Sequence, residues 1–121
     1  MRIAVLAATA MLAASAHAAP PDYYRAHTAA DLVRVCSTPA SESDYVTAIA
    51  FCHGVLAGAY GFYVSSTPVA QRFVCAPDPG PKRSQVASGF VAWANNHPQY
   101  MKDGAIDTLF RYAAEAYPCK R

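Results

Sequence analysis

The sequence lacks the clustered residues on which most metal, redox and nucleic-acid sites depend. It contains no Cys-x-x-Cys pair, so it predicts no structural zinc site, no thiol redox centre and no c-type haem, and no cofactor is expected. Basic residues are scattered, and only Lys82–Arg83 and Lys120–Arg121 are adjacent. Since a phosphate backbone is bound by a clustered basic face, no nucleic-acid partner is expected.

A set of side chains for acid–base or nucleophilic catalysis is also missing. His53 follows Cys52, but neighbours on a helix point about 100° apart, so the two side chains would not face each other. Asp103 and Asp107 are four residues apart at the start of a predicted helix, where carboxylates commonly complement the helix dipole. His97 is interpreted as a structural cap at a helix C-terminus. We therefore predict that the protein is not an enzyme.

The first 18 residues have the order of a secretory signal peptide. Arg2 supplies a charged start, an apolar run follows, and Ala16–Ala18 forms a small-x-small cleavage motif. The run is shorter than the roughly 20 residues of a membrane-spanning helix. We predict cleavage after Ala18, an extended lead-in over residues 19–30 and a single domain over residues 31–121.

Four cysteines follow the predicted cleavage site, at Cys36, Cys52, Cys75 and Cys119. An even number of cysteines in an exported chain of this size predicts two disulfides, because the chain folds in an oxidising compartment and a small core gains most from cross-links.

Apolar residues recur at helical spacing, and no strand-like alternating run occurs. The pattern predicts an all-α, small four-helix domain, with Thr28 and Asp31 as a capping box at the start of the first helix. The four predicted helices cover about residues 29–37, 44–64, 84–97 and 102–117. The third and fourth are joined by a short link and should be antiparallel.

The second helix is the most apolar segment after the signal peptide. Ala50, Gly54 and Gly58 are four residues apart and should form a stripe that lets another backbone come close. His53 near the midpoint would be costly in lipid, so no stable membrane insertion is expected. The spacing also predicts which residues of each helix face inward. In the second helix they are Val46, Ile49, Cys52 or His53, Leu56, Tyr60 and Tyr63. In the third helix they are Val86, Phe90, Trp93 and His97, and in the fourth they are Ile106, Leu109, Phe110, Ala113 and Tyr117.

The antiparallel arrangement favours one disulfide pairing among the three that four cysteines allow. It brings the end of the fourth helix back towards the start of the third, where Cys75 and Cys119 both belong. Cys36 and Cys52 would then join the first helix to the second.

Aromatic residues are numerous, with eight tyrosines, five phenylalanines and one tryptophan. Tyr23, Tyr24 and Tyr100 fall in predicted connecting segments and are candidates for a protein-binding surface, because tyrosine offers a large contact area at little entropic cost. The alternative is that they only cover the small core.

Several short motifs, taken in order, resemble the Rap/Tai family of immunity proteins. They are FCHGVLAG at 51–58, Cys75-x-Pro77, His97–Pro98 and Tyr117–Pro118–Cys119, and the similarity extends from about Asp31 to Cys119. The resemblance implies that nine residues are scaffold positions: Cys36, Cys52, Gly54, Gly58, Cys75, Pro77, His97, Pro98 and Cys119. Val55, Gly61 and the proline-rich link between Cys75 and Ser84 depart from the family pattern.

This resemblance implies a periplasmic, non-catalytic protein that protects its cell. It would bind a type VI secretion effector, typically a peptidoglycan amidase, and insert a surface loop or helix end into the active-site cleft of this cell-wall hydrolase. Some members act as dimers, so a homodimer is a second expected partner. The alternatives are a periplasmic acid-stress chaperone, with three histidines after the signal peptide as a pH handle, or another non-catalytic envelope protein.

Overall fold

The computed structural model describes residues 21–120, and within this range the chain is helical. The predicted four-helix, all-α fold is confirmed, and the described part contains two isolated β-bridges but no strand. The predicted signal peptide, residues 1–18, lies outside the described range. The α-helices are α1 (Ala29–Cys36), α2 (Tyr45–Ser66), α3 (Arg83–Asn95) and α4 (Ala105–Ala116), and single 3₁₀ turns lie at Pro21–Tyr23, Val69–Gln71 and Pro98–Tyr100.

The starts of α1 and α4 are fixed by local hydrogen bonds. Thr28 Oγ1 accepts from the Asp31 N–H at 3.2 Å, and the Thr28 N–H donates to Asp31 Oδ2 at 3.0 Å, which is the predicted capping box. The Ala29 N–H donates to the Asp103 carbonyl and the Ala105 N–H to the His27 carbonyl, each at 2.9 Å. These bonds hold the first turns of α1 and α4 side by side.

The core lies where α1 and α3 cross the other helices. α1 packs against α2, α3 and α4, and α3 packs against α2 and α4. Leu32, Val35 and Phe90 are fully buried at this crossing. Burial of such side chains contributes roughly 1.5–3 kcal/mol each.

The predicted inward face of α2 is partly wrong. Val46 is 77% exposed, and the buried side chains of this helix are Ala48, Cys52, Leu56 and Tyr63. α2 is also the one helix among the described residues that is long and apolar enough to cross a membrane. Because apolar residues surround the whole helix, periodicity gave no clear inward side.

The predicted inward face of α4 is rotated relative to the observed one. Ile106 is 41% exposed, and the side that enters the core carries Ala105, Thr108, Leu109 and Tyr112. α4 begins three residues later than predicted because Pro98–Asp103 forms turns, with the Asp103 N–H donating to the Tyr100 carbonyl at 3.0 Å.

On α3 the predicted Phe90 is fully buried, whereas Val86, Trp93 and His97 are half-buried. Ala87 and Ala94 provide the remaining buried contacts. Small residues thus let α3 lie close to its neighbours.

Both disulfides have the pairing that the sequence favoured. Cys36 is bonded to Cys52 with a Cα–Cα distance of 5.1 Å, and Cys75 to Cys119 with a Cα–Cα distance of 4.8 Å. The first joins α1 to the middle of α2, and the second joins the segment before α3 to the segment after α4. No cysteine of the described range is free.

Candidate functional site

An apolar groove of about 520 Å³ lies between α2, α4 and the proline-rich segment that precedes α3. This volume is in the range of protein sites that take a ligand or a partner's side chain. Its walls are Leu56, Ala57, Tyr60 and Gly61 of α2; Val74, Ala76, Gly80 and Pro81 of the segment; Arg83 and Val86 of α3; and Leu109, Phe110, Ala113 and Tyr117 of α4.

The residues of α4 that line the groove explain why the predicted inward face of this helix differs from the observed one. Leu109, Phe110, Ala113 and Tyr117 are predicted to enter the core, and all four line the groove. Of these, Leu109 is also buried in the core and Tyr117 packs against it. α4 therefore has two adjacent apolar sides. One packs against α1 and α3, and the other lines the groove, where the Phe110 ring also packs against Tyr63 and Phe73.

Two tyrosine hydroxyls of α2 hold the segment wall. Tyr63 Oη accepts hydrogen bonds from the Phe73 N–H at 2.8 Å and from the Val74 N–H at 3.1 Å. Tyr60 Oη accepts from the Ala76 N–H at 3.3 Å. These bonds satisfy backbone donors at the point where the chain leaves α2 for α3, and they fix its path along the groove.

The second disulfide fastens the same wall to the end of α4. The Cys75 N–H donates to the Tyr117 carbonyl at 2.9 Å, and the Cys119 N–H donates to the Phe73 carbonyl at 3.3 Å. Beyond Cys75 the exposed loop contains Pro77, and three prolines among residues 77–81 restrict its backbone further. The groove is thus preorganised. The family role of Pro77 as a scaffold position stays a prediction.

Positive charge lies at one end of the groove. Arg83 lines it, Lys82 is the residue before α3, and the first turn of α3 contains no acid. The N-terminal end of a helix dipole has the same sign. The two ion pairs of the described residues, Asp22–Arg25 and Asp31–Arg34, do not involve Arg83.

An exposed face of small residues on α2 adjoins the groove. This small-residue face consists of Ala50, Gly54, Ala57, Gly58 and Gly61, all of which are exposed. A β-carbon at Gly54 or Gly58 would meet nothing within 4 Å. No described part of the chain therefore packs against these two glycines, and close approach of another backbone to the stripe stays a prediction. Ala57 and Gly61 belong to both surfaces, which makes them continuous.

A stack of aromatic rings lies at the C-terminal end of α3, opposite the end that carries Lys82 and Arg83. The rings of Trp93 and His97 are stacked 4.0 Å apart, and the Tyr100 ring is parallel to Trp93 at 5.8 Å. The Arg111 guanidinium lies 4.8 Å from the centre of the Tyr100 ring. His97 Nδ1 is 2.7 Å from the Trp93 carbonyl oxygen, where a C-terminal cap would lie, and Pro98 begins the next turn.

The tyrosines that the sequence suggested as binding residues make contacts within the chain. The hydroxyls of Tyr23 and Thr38 are 2.7 Å apart, and Tyr24 Oη donates to Asp44 Oδ2 at 3.3 Å. The most exposed large apolar side chains are instead Val46, Phe62 and Val69, at 74–77%. For Val46 and Phe62 the only sequence signal is the uniformly apolar character of α2, whereas Val69 lies in the turn that follows this helix.

The side chains considered for acid–base catalysis lie on different elements, since His53 is on α2, Asp103 precedes α4 and Asp107 is in its first turn. His53 is half-buried on α2, and Asp107 is exposed in the first turn of α4, as expected of a dipole-matching acid. Among residues 21–120 there is no group of three or more metal-type side chains.

Residues 21–120 thus form a small helical scaffold with two disulfides and an apolar groove along its surface. The family model of Rap1a immunity proteins matches residues 28–119, which is most of the chain, and the protein belongs to this family. No curated protein and no solved structure matches the chain.

Proposed function

We propose that the protein is a periplasmic immunity protein that binds a type VI secretion effector and covers its active site. The observation that supports this proposal is the family match, which spans all four helices and all four cysteines. In the proposed mechanism the effector is a peptidoglycan amidase, and this chain excludes the substrate without performing a reaction itself.

The disulfides support the proposed compartment. Disulfides persist in oxidising compartments and are rare in the cytosol. Both cross-links lie in the helical domain and not in the lead-in. Peptidoglycan is also in the periplasm, so a protein that neutralises an amidase must reach it there. Export by the signal peptide over residues 1–18, removed after Ala18, completes the proposal.

The proposed docking face is the small-residue face of α2 together with the groove. Occlusion requires a surface that keeps its shape, because ordering a loop on binding subtracts from affinity. The groove wall is already ordered by the Cys75–Cys119 bond and by the Tyr60 and Tyr63 hydroxyls. The small residues beside it allow close approach of a partner's backbone.

Two experiments test the proposed function. Cells that lack this gene should be killed by siblings that deliver the effector encoded beside it, and a plasmid copy should restore growth. Purified protein should abolish hydrolysis of peptidoglycan by that effector at equimolar concentration. Equal survival with and without the gene, or undiminished hydrolysis with excess protein, would contradict the proposal.

A matched pair of variants tests the docking face. Gly58→Leu places a side chain in open space, and loss of a glycine within a helix favours folding by roughly 0.5–1 kcal/mol. We expect this variant to fold and to bind the effector at least tenfold more weakly. Ala92→Leu, on the exposed side of α3, is the control and should bind like the wild type. Equal affinity of both variants would place the docking face elsewhere.

The homodimer implied by the family resemblance is part of the proposal. Sedimentation of the purified protein over a range of concentrations should show a dimer, and a monomer at every concentration would contradict it.

A further inference from the structure

We infer that the groove is the anchor site for an effector segment that carries a large apolar side chain beside a carboxylate. This inference rests on the proposed function and adds the chemistry of the segment that is recognised. It arises from three features of the described residues: an apolar side of α4 that lines the groove, a wall held by a disulfide and hydrogen bonds, and a positive charge at one end.

The walls of the groove favour an apolar side chain in the bound segment. Leu56, Val74, Leu109 and Phe110 present hydrocarbon or aromatic surface to the groove. Burying apolar surface there would yield roughly 25 cal/mol per Å² removed from water. A polar side chain would lose its water without gaining a hydrogen-bond partner, which costs free energy. The occupant is therefore apolar.

The groove is large enough for a bulky side chain and is open along α2. Its volume of about 520 Å³ is far larger than that of one methyl group, so an aromatic or branched aliphatic side chain fits best. Ala57 and Gly61 form the border with the small-residue face, where the backbone that carries this side chain would lie. A polypeptide fits such a continuous surface.

The end of the groove next to α3 favours a carboxylate in the bound segment. The Arg83 guanidinium belongs to the lining, Lys82 is adjacent, and neither is in an ion pair of the described residues. Asp78, the acid of the neighbouring loop, is exposed and is not part of the lining. A carboxylate of the partner would complement this charge and the N-terminal dipole of α3.

Charge reversal tests the acidic part. We expect Arg83→Glu to raise the Kd for the purified effector at least tenfold and to remove most of the salt dependence of binding. The fold should persist, because an acid in the first turn of a helix is favourable. Lys102→Glu makes the same charge change near the start of α4, at the other end of the bundle, and should leave the Kd within about threefold, since a remote exposed charge is screened.

Filling the groove tests the apolar part. Ala57→Phe projects into the groove from an exposed position and should weaken effector binding at least tenfold, whereas Ala92→Phe on α3 should not change it. Circular dichroism and thermal melting of each variant establish that it is folded. If Ala57→Phe fails to fold, Ala113→Leu fills the same groove from α4 and replaces it.

A direct probe of the groove is the dye anilinonaphthalene sulfonate, which combines aromatic rings with an anionic group. We expect it to bind one site, to bind Ala57→Phe and Arg83→Glu more weakly, and to be displaced by saturating effector. No binding of the dye, or no displacement, would overturn the inference.

The outcomes separate the inference from the proposed function. If the wild type neither binds nor inhibits the effector, the proposed function fails. If the wild type inhibits it and both Arg83→Glu and Ala57→Phe bind as tightly, the function stands and the anchor site is wrong. If Ala57→Phe instead converts a dimer into a monomer without changing effector affinity, a second copy covers the groove, and the inference is likewise overturned.

Discussion

Gly89 of α3 lies directly against the hydroxyl of Tyr112 on α4, so close that a β-carbon at Gly89 would overlap with it. Tyr112 is buried, and this burial raises the pKa of its hydroxyl above the ordinary value. The absence of a side chain at position 89 sets how closely α3 and α4 approach.

This contact predicts that Gly89→Ala destabilises the protein. Overpacking costs up to about 3 kcal/mol and exceeds the gain in helix propensity of about 1 kcal/mol, so we expect the free energy of unfolding to fall by about 2 kcal/mol. Gly54→Ala, in open space, should raise it by roughly 0.5–1 kcal/mol. Urea denaturation measures both, and Tyr112→Phe should reduce the cost of Gly89→Ala. Equal stability of the two alanine variants would contradict the contact.

The two disulfides should differ in their effect on function. Chain-entropy estimates give about 3 kcal/mol for the 16-residue separation of Cys36 and Cys52 and about 4 kcal/mol for the 44-residue separation of Cys75 and Cys119. Alanines suit the first pair, which is buried, and serines the second, which is more exposed. Both double variants should unfold at lower urea concentration. Only loss of Cys75–Cys119 should weaken effector binding beyond what instability explains, and identical affinities would argue against a disulfide-held wall.

The capping box should make stability depend on pH. The hydrogen bond from the Thr28 N–H lowers the pKa of Asp31, with a smaller contribution from Arg34, although partial burial opposes it. Because the pKa is lower in the folded state, the stabilisation is fully present above the unfolded value of about 3.9. It is lost as pH falls through the folded pKa.

The measurement is a comparison of wild type with Asp31→Asn. The wild type should be more stable at neutral pH, and the difference should shrink as pH falls below about 4. Thr28→Ala should cost about 1 kcal/mol at neutral pH. A stability difference that stays constant down to low pH would show that the Asp31 charge is not the cause.

We expect the protein to become more stable when the hydroxyl of Thr108 is removed. Its side chain is fully buried, and its Oγ1 has no hydrogen-bond partner among residues 21–120. Thr108→Val keeps the shape and should raise the free energy of unfolding by about 1 kcal/mol, since an unpaired buried hydroxyl is costly. Thr108→Ser, which keeps the hydroxyl and loses a methyl group, should lower it by about 1 kcal/mol. A larger loss for valine than for serine would mean that the hydroxyl is paired.

Features with local causes could be predicted from the sequence. The Thr28 capping box, the helix spacing and the even cysteine count depend on residues close in sequence or on a short list of pairings. The short link between α3 and α4 was sufficient to favour Cys75–Cys119, because an antiparallel pair leaves few places for the chain ends.

The helix faces and the groove could not be predicted in the same way. α2 is apolar on every side, and α4 has two adjacent apolar sides, so periodicity could not show which one meets α1 and α3. Periodicity therefore predicts Ile106 in the core, where the structure has it 41% exposed, while Phe110 and Ala113 line the groove. Tyr23 and Tyr24 likewise contact Thr38 and Asp44, residues that only the fold brings near.

The order of the cysteines has a consequence for how the protein matures. Each disulfide joins consecutive cysteines, first with second and third with fourth. In a chain exported from its N-terminus, Cys36 and Cys52 arrive and can be oxidised before Cys75 has emerged. Pairing in the order of emergence would give the native bonds, and this route would not require disulfide reshuffling, which takes seconds to hours. In the proposed periplasmic protein, both disulfides could thus be complete soon after export.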